Sequence, residues 1–335
     1  MKLILSTGLF LLAFASSSFS LPLFAPPVNL GPTINTSAVE SDPFWDGPRN
    51  RLYFIRDFFI WYADWNGGFW NSPVKLGPQI TTGDEQSPSV SPDGQKLYFV
   101  ASARQGFLWD IWVSIWDSSV NDWGTPVNVG YPVNTPDVEF SAQVAPDGRL
   151  FFNSCCYADS QFPFGRFGIY ASSWDGDSWT FPELQWENGS DPDYPSVPAD
   201  SQWLYFNNVS DIYTAQWTGS EWGLPAYNLR QQLGGRATCP FITHSGDSLF
   251  FAGTTDLGGF GARDIWLARR LDRGDVNMDN LLTAADVVLE LNKVFLGEPY
   301  PAPEAVGDMN CDGAFTPADA VILLQVVYLE LPSNC

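Results

Sequence analysis

SPDGQKLYFVASARQGFLWDIWVSIWD, residues 91–117, is one of five versions of a single pattern. Each version has a turn, an apolar triplet, a variable polar loop and then an Ile-Trp or Ile-Tyr strand. The triplets are Leu52-Tyr53-Phe54, Leu97-Tyr98-Phe99, Leu150-Phe151-Phe152, Leu204-Tyr205-Phe206 and Leu249-Phe250-Phe251, starting 45, 53, 54 and 45 residues apart. The partner strands begin Ile60-Trp61, Ile111-Trp112, Ile169-Tyr170, Ile212-Tyr213 and Ile265-Trp266. Short aromatic and β-branched strands recurring at this period predict radially stacked sheets.

The second repeat serves as the ruler. Residues 87–90 form a short strand, and Ser91-Pro92-Asp93-Gly94 is a turn with proline and glycine where a turn needs them. Residues 96–101 follow as a strand expected to alternate apolar inward with smaller or polar outward. A loop at 104–109, a third strand at 110–115 and a fourth after Trp123 complete four antiparallel strands, one propeller blade. The fourth strand has an aromatic residue, a short spacer, a proline and an apolar residue. It occurs at 70–74, 123–127, 179–184 (slightly altered) and 222–226, and is missing after the fifth Ile-Trp strand. Its counterpart is N-terminal, at Phe24-Ala25-Pro26-Pro27-Val28-Asn29-Leu30-Gly31, with Phe24 in the tryptophan slot. The N-terminal strand is therefore expected to complete the last blade, leaving no unpaired edge between blades.

The pattern SPDG-x-x-LYF, then DIW, then W-x-x-P-V-N-x-G resembles the WD40-like repeats called PD40, found in TolB-type exported bacterial proteins. The resemblance covers residues 24–271 and implies a five-bladed β-propeller. It implies little about activity, because one fold hosts many functions.

Aromatics make up 16% of the chain, and all fifteen tryptophans fall between Trp45 and Trp266, a strand-forming composition. The net charge of −22 argues against nucleic acid or an anionic membrane as partner. Lys2, an apolar run from Leu3 to Phe14 and small residues ending at Ser20 read as a secretory signal peptide spanning 1–20. That run is too short to cross a bilayer comfortably, so the mature chain is expected outside the cell, secreted or surface-associated, with no membrane span. Of five cysteines, Cys311 and Cys335 read as a disulfide pinning the C-terminus; the pairing of Cys155, Cys156 and Cys239 stays open.

Acidic residues recur at the entry to the blades: Glu40 and Asp42, Asp84 and Glu85, Asp137 and Glu139, Asp191 and Asp193. Inward carboxylates could serve a glycosidase as acid, base or nucleophile. Their recurrence favours a structural role, bonding backbone amides at the turn. No catalytic residue is assigned. Function is instead expected where the repeat is broken: residues 104–109, the insertion at 154–168 with Cys155-Cys156 and Phe162, Phe164 and Phe167, Trp186-Glu187, and the Gly-rich 258–263. Aromatic rings flanked by carboxylates and amides suit a sugar face, although most such rings pack between blades. His244, the single histidine, occupies the proline slot of a turn and reads as incidental.

After Leu271 the chain changes character. Residues 275–286 and 308–319 repeat one calcium loop of the EF-hand kind at 33-residue spacing. The expected oxygen ligands are Asp275, Asn277, Asp279, the Leu281 carbonyl, Thr283 and Asp286. In the second loop they are Asp308, Asn310, Asp312, the Ala314 carbonyl, Thr316 and Asp319. Hard oxygens at this spacing suit two Ca²⁺ ions, and the sixth position, which needs a left-handed backbone, holds Asn280 or Gly313. Helices are expected at 286–295 and 318–329.

This duplicated loop-helix, lacking a preceding helix and ending in Asp at position 12, resembles a type I dockerin over residues 274–335. The resemblance implies a calcium-stabilised module that binds a cohesin-like protein. The positions that carry recognition in that family correspond to Ala284-Ala285 and Pro317-Ala318.

The expected architecture is thus an all-β five-bladed propeller at 21–272 and a small all-α dockerin-like domain of paired EF-hand-type loop-helix units at 273–335. The function read from it is exported, non-catalytic binding or assembly. The propeller presents a face to a glycan or protein, and the tail attaches to a protein partner. A dockerin-bearing glycoside hydrolase using inward propeller carboxylates is the alternative.

Overall fold

The computed structural model describes residues 21–102, 109–154, 167–187, 192–224, 226–329 and 331. The signal-peptide call, Cys155-Cys156, Phe162, Phe164, Asp191 and Cys335 lie outside the described residues. The described chain divides into two compact units, one of them Phe24–Arg270 and the other containing Leu271–Cys335.

The first unit is a five-bladed propeller. β1 (Leu23–Phe24) and β2 (Val28–Asn29) come first in the chain but belong to the last blade. Blade 1 is β3 (Glu40–Asp46), β4 (Arg51–Arg56), β5 (Phe59–Asp64) and β6 (Val74–Lys75). Blade 2 is β7 (Glu85–Val90), β8 (Lys96–Ala101) and β9 (Asp110–Asp117), with β10 (Asp122–Trp123) and β11 (Val127–Asn128) both on β9. Blade 3 is β12 (Glu139–Val144), β13 (Leu150–Ser154), β14 (Gly168–Ser172) and β15 (Glu183–Trp186). Blade 4 is β16 (Pro192–Ser196), β17 (Trp203–Asn208), β18 (Asp211–Gln216) and β19 (Tyr227–Asn228). Blade 5 is β20 (Ala237–Ile242), β21 (Ser248–Thr254) and β22 (Arg263–Leu271), and β1 and β2 pair with β22 as its outer strand. The first strands touch in a closed circle: β3 with β7, β7 with β12, β12 with β16, β16 with β20, and β20 with β3.

Side-chain chemistry repeats across the closure. Asn128 Nδ2 donates to Asp110 Oδ2 at 2.6 Å within blade 2, and Asn29 Nδ2 donates to Asp264 Oδ2 at 2.9 Å across 235 residues of chain. Asn134 clamps the Ile111 backbone through both its amide groups, and Asn35 clamps that of Ile265. In blades 2, 3 and 5 the aromatic of the outer hairpin meets the middle residue of the previous blade's triplet. Trp123 Nε1 donates to the Tyr53 hydroxyl at 3.3 Å, Trp179 meets Tyr98 edge-on at 6.2 Å, and Phe24 meets Tyr205 edge-on at 6.2 Å.

Two sequence expectations need correction. The second strand of a blade does not alternate: residues 97–101 are all buried, and Leu150–Ser154 is buried throughout. Blades pack face to face, so both faces of their middle strands are covered. Trp186 is not a loop residue; it ends β15, is 4% exposed and packs 5.1 Å from Phe206.

A short α1 (Arg230–Leu233) precedes β20; in the C-terminal unit, α2 (Ala284–Leu296) and α4 (Pro317–Leu329) follow the two loops, with a short α3 (Glu304–Gly307) between them. Its buried core is small, centred on Val287, Met309 and Leu323. Thr283 caps α2 in a reciprocal capping box with Asp286, which starts the helix before the expected residue. Cys311 is disulfide-bonded, and its partner is outside the described residues, whereas Cys239 is free and buried.

Candidate functional site

In each tail loop the carboxylates organise the backbone. Asp275 accepts the amides of Asp279 at 3.0 Å and Asn280 at 2.9 Å; Asp308 accepts those of Asp312 at 3.2 Å and Gly313 at 3.0 Å. Asp279 accepts from Leu281 N, and Asp312 from Ala314 N. Asn277 and Asn310 each donate to the aspartate two residues on, at 3.0 Å. Asp286 accepts from the amides of Asn277 and Thr283, and Asp319 from those of Asn310 and Thr316, tying the end of each loop to its start. The sixth positions are left-handed, Asn280 at φ 69° and Gly313 at φ 79°. Both loops therefore share one backbone design, in which hydrogen bonds link Asp275, Asn277, Asp279, Thr283 and Asp286 in the first and Asp308, Asn310, Asp312, Thr316 and Asp319 in the second.

These carboxylates face amides. Among the described residues no three His, Cys, Asp or Glu side chains are gathered closely enough to hold a metal ion. Yet Asp275, Asp286 and Asp319 are 0–1% exposed, and no arginine or lysine among the described residues forms an ion pair with any of them. Buried carboxylates without a countercharge are costly, so the oxygen-only donor set fits a hard divalent cation.

One residue here was missed by sequence reasoning. Glu290, one turn along α2 from Asp286, is fully buried with both carboxylate oxygens unpartnered. Burial pushes its carboxyl up to about 8, with Asp319 and Asp286 adding to the effect. The equivalent position in α4 is Leu323, so the signal was a charged residue in an apolar slot of the repeat.

In the propeller, the recurring acids cap turns. Glu40 accepts from the Thr36 amide and hydroxyl and from Arg56 at 2.8 Å. Glu85 accepts from the Thr82 amide and hydroxyl, and Glu139 from those of Thr135 and from the Ser154 hydroxyl. Asp84 accepts from the Ser102 hydroxyl. Burial pushes the Glu139 carboxyl up to about 7, against the lowering effect of the Thr135 hydrogen bonds.

At the axis the five first strands carry a bulge at the same register, placing Asp42, Ser87, Ser141, Tyr194 and Cys239 at φ 50–55°. They line a cavity of about 30 Å³, roughly the share of one water molecule. Asp42 accepts the Ser87 amide at 2.9 Å and the Cys239 thiol donates to the Thr238 hydroxyl at 3.7 Å; burial pushes both the Asp42 carboxyl and the thiol up. A thiol raised in this way is protonated and inert. Asp193 accepts from the Ser141 hydroxyl and the Tyr194 amide.

The large opening lies elsewhere. A groove of about 810 Å³ separates blade 5 from blade 1, walled by Trp45, Trp65, Trp70 and Phe250, with His244 and Asp247 among its polar residues. Trp45 stacks on Phe250 at 6.1 Å and meets Trp70 edge-on at 5.9 Å. His244 packs against Phe44 and Phe241, its Nε2 has no hydrogen-bond partner, and burial lowers its basicity. Of the broken-repeat segments, the Gly-rich one is tied down by Asp264, which accepts from the amides of Phe260 and Gly261.

No protein-family model matches the chain, and no curated protein matches it. Solved propellers do. A protein assigned as TolB from Agrobacterium tumefaciens is 19% identical, with 70% of this chain and 79% of that one covered, at a TM-score of 0.45. The PQQ-bound aldose sugar dehydrogenase from Streptomyces coelicolor is 13% identical, with 73% and 98% covered, at a TM-score of 0.46. A gluconolactonase from Xanthomonas campestris is 12% identical, with 75% and 94% covered, at a TM-score of 0.47. These similarities carry no argument about activity; the five-bladed propeller rests on this chain's own strand pairing.

Proposed function

We propose that the chain is an exported binding and assembly protein whose C-terminal unit holds two Ca²⁺ ions and docks onto a cohesin-like protein. One observation carries the reading: the C-terminal unit buries very little, yet leaves a set of large apolar residues in the open. Leu291, Phe295, Val321, Leu324 and Tyr328 of α2 and α4 are 38–66% exposed. Exposed apolar residues in such number fit a protein interface. Asp275, Asn277, Asp279, Thr283, Asp286 and the Leu281 carbonyl would hold one ion. Asp308, Asn310, Asp312, Thr316, Asp319 and the Ala314 carbonyl would hold the other. Bound Ca²⁺ would supply the countercharge that the buried aspartates lack and fix the helices that present the apolar face.

In this reading the propeller binds rather than cleaves. Its recurring glutamates are engaged in capping turns, and the axial cavity beside Asp42 is too small for a sugar ring. The test is incubation of calcium-loaded residues 21–335 with cohesin modules and with a polysaccharide panel, following protein depletion and reducing ends. Calcium-dependent capture by a cohesin, and depletion without sugar release, are expected. Release of reducing ends would turn the assignment to a glycoside hydrolase, and capture unaffected by a chelator would remove calcium from the docking step.

A further inference from the structure

At two seams a cation of the preceding blade, Arg49 or Lys96, lies on the outer-hairpin rings, whereas Arg51 and Arg149 stay on Tyr62 and Phe151 of their own blades. Three residues before the leucine of the triplet, blade 1 has Arg49, and one residue before it blades 1 to 4 have Arg51, Lys96, Arg149 and Trp203. Blade 5 has Gly246 and Ser248 at the same two places. At the seam between blades 1 and 2, the Arg49 guanidinium lies 4.5 Å from the Trp116 ring and 5.5 Å from Trp123. There it donates to Asp46 at 2.8 Å and to the Gly94 carbonyl at 2.6 Å. At the seam between blades 2 and 3, the Lys96 ammonium lies 5.7 Å from the Trp174 ring. The corresponding hairpin of blade 1, Trp65 and Trp70 at 5.0 Å from each other, opens into the groove, whose lining among the described residues includes no lysine or arginine.

We propose that this groove takes an arginine or lysine side chain from a partner protein, seated where Arg49 and Lys96 sit at the neighbouring seams. This deepens the binding role assigned to the propeller and rests on it. The molecule itself shows what chemistry this surface accepts: a cation on a flexible stem, over indole rings, beside a carboxylate. The walls supply rings for cation–π attraction, and no lysine or arginine lines the groove to repel the guest. Asp247, exposed among the lining residues, stands available as the countercharge that Asp46 provides to Arg49. A net charge of −22 draws basic segments toward the protein at long range.

Three probes test it against the full mature chain, residues 21–335, by tryptophan fluorescence and calorimetry. They are acetyl-Gly-Gly-Arg-Gly-Gly-amide, the same peptide with neutral citrulline for arginine, and cellotetraose. The arginine peptide is expected to bind saturably and about tenfold more tightly than the citrulline peptide, the scale of one desolvated cation–π contact. Ser248→Lys copies Lys96, the residue at this place that reaches the next blade's ring, and should weaken binding at least tenfold, with near-ultraviolet circular dichroism retained. Asp247→Asn, which keeps an acceptor for the Thr243 hydroxyl, should weaken it several-fold. Equal binding of arginine and citrulline peptides, or no effect of Ser248→Lys in a folded variant, overturns the proposal. Binding of cellotetraose alone overturns the ligand class and leaves the propeller a binding module. Binding of none of the three overturns the proposal, and the polysaccharide panel then decides separately whether the propeller binds at all.

Discussion

Buried acids do the same local job in both units and yet stand in different electrostatic surroundings. Glu40, Glu85 and Glu139 in the propeller each accept from the amide and hydroxyl of a threonine three or four residues earlier. Asp286 and Asp319 in the tail do so as well, from Thr283 and Thr316. Among the propeller acids Glu40 has Arg56 as its countercharge. The tail crowds three aspartates into each short loop, and its most buried ones have no cation among the described residues. A hydrogen bond can order a carboxylate anywhere, but several in one place need positive charge. Glu40 has such charge in the propeller's own sequence, whereas in the proposed reading the tail takes it from bound Ca²⁺.

The largest effect that follows is on the tail. Chelation of Ca²⁺ should melt α2 and α4, seen as lost ellipticity at 222 nm in the full chain, while near-ultraviolet signals from the propeller tryptophans persist. At a thousandfold excess over Kd, each site contributes about 4 kcal/mol, more than so small a core can replace. Unchanged ellipticity with excess chelator would show that the aspartates tolerate their neighbours unaided, and the contrast between the units would collapse.

The next effect is inside the propeller. Glu40→Gln keeps an acceptor for Thr36 but removes the countercharge of Arg56, which is 12% exposed between Phe54 and Trp61. Breaking a buried pair from one side should cost about 3 kcal/mol, measured as a shift in the urea midpoint at constant slope. A neutral result would mean that Arg56 is held by its rings and the Ile34 carbonyl alone.

Glu290 sharpens the comparison in the opposite direction, because it is a buried carboxylate with neither amide nor cation. Glu290→Leu copies Leu323 from the other half of the repeat and should raise stability by about 2 kcal/mol, read in thermal melts with Ca²⁺ present. A loss of stability would show that Glu290 has a partner in the calcium-loaded protein.

Blade number, the triplets, the N-terminal closure with Phe24 in the tryptophan slot and the helical parts of the tail were legible because each is written several times. Asn29 and Asp264 were readable as a pair since Asn128 and Asp110 repeat them. The groove was not read, although the sequence offers one sign of it: Ser248 stands where Lys96 reaches the next blade's ring. A repeat reveals what it keeps, and a missing side chain leaves a space only when the neighbouring blade is in view. The axial ring was hidden for another reason. The bulge that turns Asp42, Tyr194 and Cys239 to the axis depends on pairing with the second strand, and residue type alone does not announce it.

The last effect concerns pH and separates Glu139 from its repeat mate Glu40. Across the strand pair Glu40 faces Arg56, but Glu139 faces Ser154, which gives a hydroxyl and no charge. Asp110 adds repulsion, and burial has raised the Glu139 carboxyl from 4.5 to about 7. Below pH 4.5 the group is protonated in both folded and unfolded chains, and its contribution to stability is then at its greatest. Between pH 4.5 and 7 the unfolded chain releases the proton while the folded chain keeps it, so stability falls as pH rises, by about 3 kcal/mol in all. Above 7 the contribution is flat. Glu139→Gln retains an acceptor for the Thr135 amide and a donor toward its hydroxyl, and cannot ionise. Denaturation of both proteins from pH 4.5 to 8 should therefore show the variant matching the parent at the acid end and exceeding it at the alkaline end. Parallel curves would mean that a water or a rearranged side chain solvates Glu139, making it a turn cap no different from Glu85.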